Sequence, residues 1–220
     1  MSEPAADVSV FRARFTTRQQ AERYRDRFAS GSRARKDHLE REVLRKLLAV
    51  LGPLESALDL PSGAGRLSTV LAEFAPWVIQ ADASLPMLQI AREDHPHLRS
   101  YYVQADAAAI GLADRSVDLV FCHRMLHHIH DPATRARMFA ELARVARRYV
   151  LLSFYPPGYR DRLRWLASAL HGASNRRPRP ATRQQFLGDA ASVGLRLIQS
   201  PPRSRVRGAD AFHLFEHARR

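Results

Sequence analysis

A glycine-rich turn and an acidic residue downstream of it are the clearest signs of a ligand-binding site in this sequence. The segment Ser56–Ser68 reads as a short apolar strand, a tight turn with Gly63 and Gly65, and a following helix. Glycines let a ligand approach the backbone, and the helix start directs N–H groups at it. Asp82 closes the next apolar run, 23 residues after Asp59, where a βαβ unit presents a carboxylate to ribose hydroxyls. The pattern predicts a nucleoside-bearing cofactor.

Four histidines form the one cluster that could handle protons. His123, His127, His128 and His130 follow the apolar run 117–122. A histidine titrates near neutral pH and could act as a base on a phenol or an enol. We expect His128 first and His123 second in that role, and packing alone is the alternative for all four. The cluster has no His-Glu-x-x-His pattern, so we predict no metal site.

Strands and helices alternate so that three carboxylates fall at strand ends. Apolar runs predict strands that close at Asp59, Asp82 and Asp106, and further strands over 117–122 and 149–154. This alternation indicates βαβ units and a mostly parallel sheet with right-handed crossovers. Ligands of such sheets bind at the carboxyl edge of the strands. A single aspartate there is usually a turn or cap residue, but three in succession indicate a site.

The remaining periodicity completes one α/β domain. The helix predicted over 37–51 is amphipathic, with leucines such as Leu39, Leu44 and Leu47 on one face. Two further strands are expected near 195–199 and 211–215. Four of the other predicted helices begin at Thr16 or Thr17 and run to about 29, follow the glycine turn to about 74, cover about 133–146, and cover about 182–193. Another is capped by Ser84 and contains residues 87–91.

Length and composition describe an ordinary globular chain. Its 220 residues suit one domain with a full core. No apolar run approaches the roughly 18 residues of a membrane helix, and the first residues do not resemble a secretory signal. The single cysteine, Cys122, excludes an internal disulfide and fits a reducing compartment. We therefore expect a cytoplasmic protein.

The net charge of +13 is unevenly distributed. Residues 1–50 carry +5, residues 51–150 carry −1, and residues 151–220 carry +9. Basic flanks could attract phosphate, nucleic acid or an anionic membrane surface. However, 33 of the 35 positive residues are arginines, which the codon bias of a GC-rich genome produces without any partner. The charge alone therefore does not assign a partner.

Four motifs, in order, resemble those of class I S-adenosylmethionine-dependent methyltransferases of the small single-domain type related to quinone-biosynthesis methyltransferases. They lie at 58–66 (the glycine turn), 82–92, 104–107 and 117–132, within a match from about Ser56 to Phe154. The resemblance implies a Rossmann-like doubly wound, mostly parallel seven-stranded sheet. Helices cover both of its faces and the last strand is antiparallel. The implied cofactor is S-adenosyl-L-methionine.

The resemblance also implies which residues hold the nucleoside. Asp82 would accept both ribose hydroxyls, with Ala83 and Met87 lining the nucleoside. Asp106 would accept from the adenine amino group, and Ala107 would back the ring.

Other implied residues face the methionine part of the cofactor. Ser62, Gly63 and Gly65 would lie against it, with Asp59 close to its ammonium group. Pro61 departs from the family, which usually has glycine there. Proline fixes φ near −65° and removes an N–H, but we expect binding to survive because the glycines and acidic partners remain.

The rest of the resemblance concerns the acceptor side and the domain layout. Cys122 and His123 would border the sulfonium and the acceptor, and Tyr24 would belong to a lid. We expect an N-terminal arm and lid helix over 1–35 and the methyltransferase domain over 36–220. A basic insert at 155–182 is expected within that domain.

The predicted function is methyl transfer to a small-molecule acceptor, anionic or lipid-linked, by in-line displacement. The Asn/Asp-Pro-Pro-aromatic run of methyltransferases that act on DNA bases is absent after 117–122, which argues against nucleic acid as the acceptor. Two alternatives stay open. One is a non-catalytic or nucleic-acid-contacting protein on this fold, and the other is an NAD-dependent Rossmann oxidoreductase. The oligomeric state is not readable from the sequence.

Overall fold

The computed structural model describes residues 15–155, 181–200 and 212–218. The predicted arm over 1–14 and all but the ends of the predicted basic insert, including Arg176, Arg177 and Arg179, lie outside these residues. The elements are, in chain order, α1 (Arg18–Asp26), α2 (Gly31–Leu48), β1 (Ser56–Asp59), α3 (Ser68–Leu71), β2 (Trp77–Asp82), α4 (Leu85–Asp94), β3 (Ser100–Gln104), β4 (Val117–Cys122), a 3₁₀ turn (Leu126–His128), α5 (Pro132–Val145), β5 (Ala146–Ser153), α6 (Arg183–Ser192), β6 (Leu195–Gln199) and β7 (Phe212–His217).

The strands form one seven-stranded sheet in the order β3-β2-β1-β4-β5-β7-β6. Strands β1 to β5 pair in parallel, and β7 is antiparallel to both β5 and β6. The strand order reverses between β1 and β4, which creates a crevice at their carboxyl ends. The predicted fold class is confirmed, including the antiparallel last strand.

Apolar residues cover both faces of the sheet. Every residue of β4 is buried, as expected for a central strand with helices on both sides. Leu119 and Phe121 face a cluster that includes residues of α2 and α3, whereas Val120 and Cys122 face a cluster with α5 and α6. Because side chains alternate along a strand, one continuous apolar run supplies both cores and fixes the sheet between two helical layers.

Side-chain caps set where the helices begin. The hydroxyls of Thr17, Ser84 and Thr182 accept hydrogen bonds from backbone N–H groups in the first turn, and Asp131 caps α5 in the same way. Each cap satisfies a donor that the helix leaves unpaired. The predicted starts of these helices agree with the structure within a residue or two.

The helix α2 differs from its prediction in extent and in orientation. It begins at Gly31 rather than near residue 37. Its buried face contains Glu40, Leu44, Leu47 and Leu48, while Leu39 is 40% exposed. The predicted face is therefore buried at Leu44 and Leu47, but Glu40 rather than Leu39 continues it toward the start of the helix.

Two smaller observations complete the fold. The helix after the glycine turn covers only Ser68–Leu71, and a turn replaces its predicted end near residue 74. Of the helices that lie in the described ranges, none has both the length and the apolar composition that a membrane crossing would need.

Candidate functional site

A cavity of about 440 Å³ opens at the carboxyl ends of β1, β2 and β4. This is the point at which the strand order reverses, and its volume lies in the range of small-molecule sites. Ten of the residues predicted for the site line it: Tyr24, Asp59, Ser62, Gly63, Asp82, Ala83, Met87, Asp106, Ala107 and His123. The fold therefore brings these separate motifs to one hollow.

The two glycines of the turn have different surroundings. Both have positive φ, +55° at Gly63 and +74° at Gly65, a region that L side chains rarely adopt. A Cβ on Gly63 would meet no atom within 4 Å, whereas a Cβ on Gly65 would lie 2.6 Å from Gln80 Oε1 and 3.2 Å from Ala91 Cβ. Gly63 leaves open space beside the cavity wall, and Gly65 allows the turn to pack against β2 and α4.

Asp82 connects the end of β2 to the glycine turn. Its Oδ2 accepts a hydrogen bond from the Gly63 N–H at 2.9 Å, and its Oδ1 accepts one from the Ser84 N–H at 2.8 Å. Burial raises the pKa of this carboxyl, against the effect of the backbone donors. Each carboxylate oxygen can accept more than one hydrogen bond, so Asp82 retains acceptor capacity toward the cavity.

Asp59 lies at the end of β1, almost completely buried. Its Oδ2 accepts a hydrogen bond of 2.6 Å from the Ser68 hydroxyl. Burial raises the pKa of Asp59 to about 7, although Ser68 and the charge of Arg66 oppose the change. A carboxylate desolvated in this way favours a nearby positive charge.

Asp106 and Ala107 follow β3, on the side of the cavity beyond Asp82. Asp106 Oδ1 accepts a hydrogen bond from the Ala108 N–H at 3.0 Å, which holds the carboxyl in a tight turn. Ala107 and Met87 are buried apolar residues that line the same cavity. A carboxylate and apolar side chains are together suited to a flat ring with a polar edge.

The first described residues cover the cavity. Tyr24 of α1 contacts Phe15 and Phe28, with ring centroids 4.9 Å and 5.7 Å apart. Buried Ala21 and the rings of Phe15 and Tyr24 pack against an apolar cluster that includes Met87. All three aromatic residues line the cavity, so α1 and its flanks separate it from solvent.

A buried carboxylate that the sequence analysis missed lies behind two arginines of the cavity wall. Glu40 of α2 is fully buried and accepts hydrogen bonds from Arg66 Nη2 at 3.0 Å and Arg124 Nη2 at 2.9 Å. Its Oε1 also accepts from the Tyr155 hydroxyl at 3.4 Å. Burial alone would raise its pKa, but His123, Arg124 and Arg66 lower it to about 2. Glu40 is therefore an internal anion that its neighbours compensate.

His123 lies in the cavity wall between these two regions. Its ring stacks on Phe121 and Phe212, and its Nε2 is 3.6 Å from Glu40 Oε2, outside hydrogen-bond range. Neither ring nitrogen has a hydrogen-bond partner, and both are buried. Burial lowers the pKa of His123 to about 4, although Glu40 opposes it, so the ring is neutral near pH 7.

Three predicted site residues lie away from the cavity wall. Cys122 faces the apolar cluster beneath α5, and burial raises the pKa of its thiol. His128 is exposed in the 3₁₀ turn, and Gly65 serves the packing of the turn. Cys122 and His128 lie where they do because strand alternation and the tight turn after β4 direct them away from the crevice.

Of the residues that the sequence analysis missed, Glu40 carries a signal that the sequence does contain. Glu40 precedes Leu44 and Leu47 by four and seven residues, so it belongs to the buried stripe of α2. A charged residue on such a stripe needs a partner. Arg66 and Arg124 carry no comparable signal, because their contacts with Glu40 span 26 and 84 residues.

The charged residues that line the cavity are more acidic than basic. Aspartates 26, 37, 59, 82, 94 and 106 face arginines 25, 41, 66 and 124. Within the described residues, no group of three or more histidine, cysteine, aspartate or glutamate side chains is arranged to hold a metal ion. The lining complements a ligand with net positive charge.

Comparisons with known proteins agree with this geometry. A family model described as a methyltransferase domain matches residues 58–154. A malonyl-[acyl-carrier protein] O-methyltransferase from Marinomonas is 39% identical over 127 residues, which cover 54% of this chain and 46% of that protein. A demethylmenaquinone methyltransferase from Mycobacterium is 31% identical over 108 residues, or 49% of this chain and 45% of the relative. The match thus spans less than half the length of either relative.

A solved structure extends the likeness to the whole fold. Magnesium protoporphyrin IX methyltransferase from Synechocystis, with bound S-adenosylmethionine, superposes with a TM-score of 0.72 at 19% identity and covers 100% of both chains. At this identity the similarity is one of fold.

Proposed function

We propose that this chain, which carries a class I S-adenosylmethionine-dependent methyltransferase domain, transfers a methyl group from S-adenosylmethionine to a small-molecule acceptor. When bound, the cofactor supplies a methyl group activated by a sulfonium, which an acceptor takes by in-line displacement. The chain's own residues position the two molecules and exclude water.

The observation that carries the proposal is the connection between Asp82 and the glycine turn. The Asp82 carboxylate accepts hydrogen bonds from the Gly63 N–H and from the Ser84 N–H at the start of α4. The space next to Gly63 is open. A ribose placed there would donate its hydroxyls to Asp82, while Ser62 and Gly63 would leave room for the adjoining chain of the cofactor. The residues present therefore fit a nucleoside that continues into a thin, flexible group.

The charge of the cavity favours this cofactor over a dinucleotide. S-adenosylmethionine carries a sulfonium, an ammonium and one carboxylate, and its net charge is positive. Asp59, Asp82 and Asp106, near the carboxyl ends of β1, β2 and β3, complement that charge and would repel a pyrophosphate placed beside them. Asp59, buried and without an ion-pair partner among the described residues, is suited to the ammonium.

Proton handling favours His123 over His128. His123 lines the cavity, whereas His128 is exposed outside it. With a pKa of about 4, His123 would be a weak base, so we assign it a hydrogen-bonding role toward the acceptor rather than full proton abstraction. His123→Asn should lower kcat with little change in the affinity for cofactor.

We propose an anionic or lipid-linked acceptor. The relatives named above act on malonyl-carrier, quinone and porphyrin acceptors according to their names. The positive charge of the expected basic insert also suggests an anionic acceptor, and its arginines at 176, 177 and 179 lie outside the described residues. Transfer that is indifferent to salt and to the triple arginine-to-alanine change would contradict this part of the proposal.

A transfer assay tests the function directly. The protein is incubated with S-adenosylmethionine that carries a labelled methyl group and with a small-molecule extract, and the label is followed into new products. Wild type and Asp114→Asn, a change at a carboxylate with 75% side-chain exposure, should transfer label equally. Asp82→Asn should reduce transfer at least tenfold at subsaturating cofactor. Equal transfer by Asp82→Asn would contradict the assignment of the site.

A further inference from the structure

The two ends of the cavity differ in charge. The acidic end consists of Asp59, Asp82 and Asp106 at the tips of β1, β2 and β3. We call Lys36, Arg66 and Arg124, which surround Glu40, the basic end. Of these residues, Arg66 and Arg124 line the cavity, and Lys36 and Glu40 lie behind them.

At the basic end, cations outnumber the carboxylates that they contact. Arg66 and Arg124 each donate to Glu40, at 3.0 Å and 2.9 Å. Arg66 is also paired with Asp37, but Asp37 is in turn paired with Arg41 at 2.8 Å. Among the described residues, this group therefore has four cations, Lys36, Arg41, Arg66 and Arg124, and two carboxylates, Asp37 and Glu40. Even with Asp59, whose charge interacts with Arg66, the cations remain in excess. Such an excess in a partly buried place favours a bound anion.

The pKa of Lys36 reflects the repulsion among the cations of the basic end. Its ammonium lies 5.4 Å from the centre of the Tyr155 ring. Burial and then the charges of Arg124 and Arg66 lower the pKa of Lys36, against the attraction of Glu40. An additional negative charge would relieve this repulsion.

Arg124 is held toward the cavity by an uncommon backbone conformation. Its φ is +57°, in the left-handed region, which a residue with a long side chain rarely adopts. The Ser153 hydroxyl accepts a hydrogen bond from its N–H at 2.6 Å. Strain of this kind persists only where surrounding contacts impose it, and it occurs often at functional sites.

The guanidinium of Arg124 retains capacity for a ligand. Arg124 and Arg66 lie over the Phe28 ring, 5.7 Å and 4.4 Å from its centre, and all three residues line the cavity. An arginine carries five N–H donors. The contact with Glu40 uses one terminal nitrogen of Arg124, and its side chain is 26% exposed.

We propose that Arg124, supported by Arg66 and Lys36, determines acceptor specificity by binding an anionic group, a carboxylate or a phosphate, of the methyl acceptor. This inference rests on the proposed function, in which the acidic end serves the cofactor. The planar fork of Arg124 suits bidentate recognition of either anion. Arg124 acts on binding and orientation, and it takes no part in bond making.

The test titrates inorganic phosphate into protein saturated with S-adenosylhomocysteine, by calorimetry at constant ionic strength. Phosphate should bind the wild type and should bind Arg124→Gln at least tenfold more weakly. Arg99→Gln is the matched control, because Arg99 also lies over an aromatic ring, 5.9 Å from the centre of Trp77, but outside the cavity lining. It should bind phosphate as the wild type does.

A second arm separates the acceptor from the carboxylate of the cofactor. S-adenosylhomocysteine and 5′-methylthioadenosine, which lacks the amino-acid part, are titrated into wild type and Arg124→Gln. Unchanged affinity for both compounds supports the proposal. If Arg124→Gln weakens only S-adenosylhomocysteine, or if phosphate competes with it, Arg124 serves the cofactor and the proposal is overturned.

The outcomes also separate this inference from the proposed function. If the wild type does not bind S-adenosylhomocysteine, both the proposed function and the inference about Arg124 are contradicted. If it binds S-adenosylhomocysteine but its phosphate affinity does not depend on Arg124, only the inference is contradicted. If Arg124→Gln does not fold, Lys36→Gln carries the test, with a several-fold loss of phosphate affinity expected and an unchanged affinity contradicting the proposal.

Discussion

Two buried carboxylates near one cavity, Asp59 and Glu40, have pKa values shifted in opposite directions. Asp59, at the acidic end, accepts its hydrogen bond from a serine hydroxyl, and burial raises its pKa to about 7. Glu40, at the basic end, is equally buried, but a histidine and two arginines overcome burial and lower its pKa to about 2. Burial is common to both, so the difference comes from the neighbours.

The opposite pKa shifts indicate which of the two carboxylates a bound ligand would stabilise. Glu40 is compensated within the protein, so its charge is stable without any bound molecule. Asp59 and Asp82 have N–H and O–H donors but no ion-pair partner among the described residues, so a cationic ligand would stabilise them. We therefore expect changes at Glu40 to affect mainly folding and changes at the acidic end to affect mainly cofactor binding.

The largest expected effect follows from Glu40→Ala. Removing this carboxylate leaves Arg66 and Arg124 with no counter-charge at that position, and breaking a buried pair typically costs about 3–5 kcal/mol. The free energy of unfolding, measured in urea at pH 7, should fall by that amount, whereas Glu73→Ala at an exposed pair with Arg45 should change it only slightly. A small loss for Glu40→Ala would show that the two ends do not differ as described.

The stability contributions of Asp59 and Glu40 should change in opposite directions with pH. The folded-state pKa of Asp59, about 7, exceeds the unfolded value of 3.8, so the folded state binds the proton more tightly. The stabilisation that protonated Asp59 gives to the folded state is complete below about pH 4 and is lost as the pH rises to about 7. At about 1.4 kcal/mol for each pH unit, the loss has a ceiling of about 4 kcal/mol.

Unfolding of wild type and Asp59→Asn, compared between pH 4 and 7, measures this contribution. The stability of wild type relative to the variant should decline as the pH rises. Glu40 has the opposite sign, because its pKa is depressed, and its contribution is lost only as the pH falls from about 4.5 toward 2. A constant difference between wild type and Asp59→Asn would contradict the desolvation of Asp59.

The smallest of these stability effects distinguishes the two glycines of the turn. Gly65→Ala places a Cβ 2.6 Å from Gln80 Oε1 and 3.2 Å from Ala91 Cβ, so we expect a loss of about 1–3 kcal/mol. Gly63→Ala meets only the left-handed strain, roughly 1 kcal/mol, but its Cβ projects into open space beside Asp82. Thermal unfolding should be affected more by Gly65→Ala, and affinity for S-adenosylhomocysteine more by Gly63→Ala. The reverse order would contradict these roles.

Much of the fold and of the acidic end could be predicted from the sequence. The resemblance to a methyltransferase domain is supported over residues 58–154, which a methyltransferase domain model matches. The seven-stranded fold is shared with a solved methyltransferase, and the cofactor and activity of this chain are proposals. The site motifs are local. Asp59 and Asp82 are the last residues of β1 and β2, Asp106 comes two residues after β3, and parallel strands bring their ends to one edge. Their contacts with a ligand stay predictions.

The basic end could not be predicted, because its contacts are remote in sequence. Glu40 interacts with residues 26 and 84 positions away, and no local pattern links them. The strained backbone of Arg124 depends on Ser153 in another strand. Cys122 was placed beside the cofactor by resemblance, but the alternation of side chains along β4 directs it into the apolar cluster instead.

The most direct test of the central claim is calorimetry with S-adenosylhomocysteine and with NAD on wild type and Asp82→Ala. We expect wild type to bind S-adenosylhomocysteine and not NAD. The variant should bind at least about tenfold more weakly, because hydrogen bonds to a charged group contribute about 1.5–3 kcal/mol. An unchanged dissociation constant for Asp82→Ala, or a preference for NAD, would contradict the account.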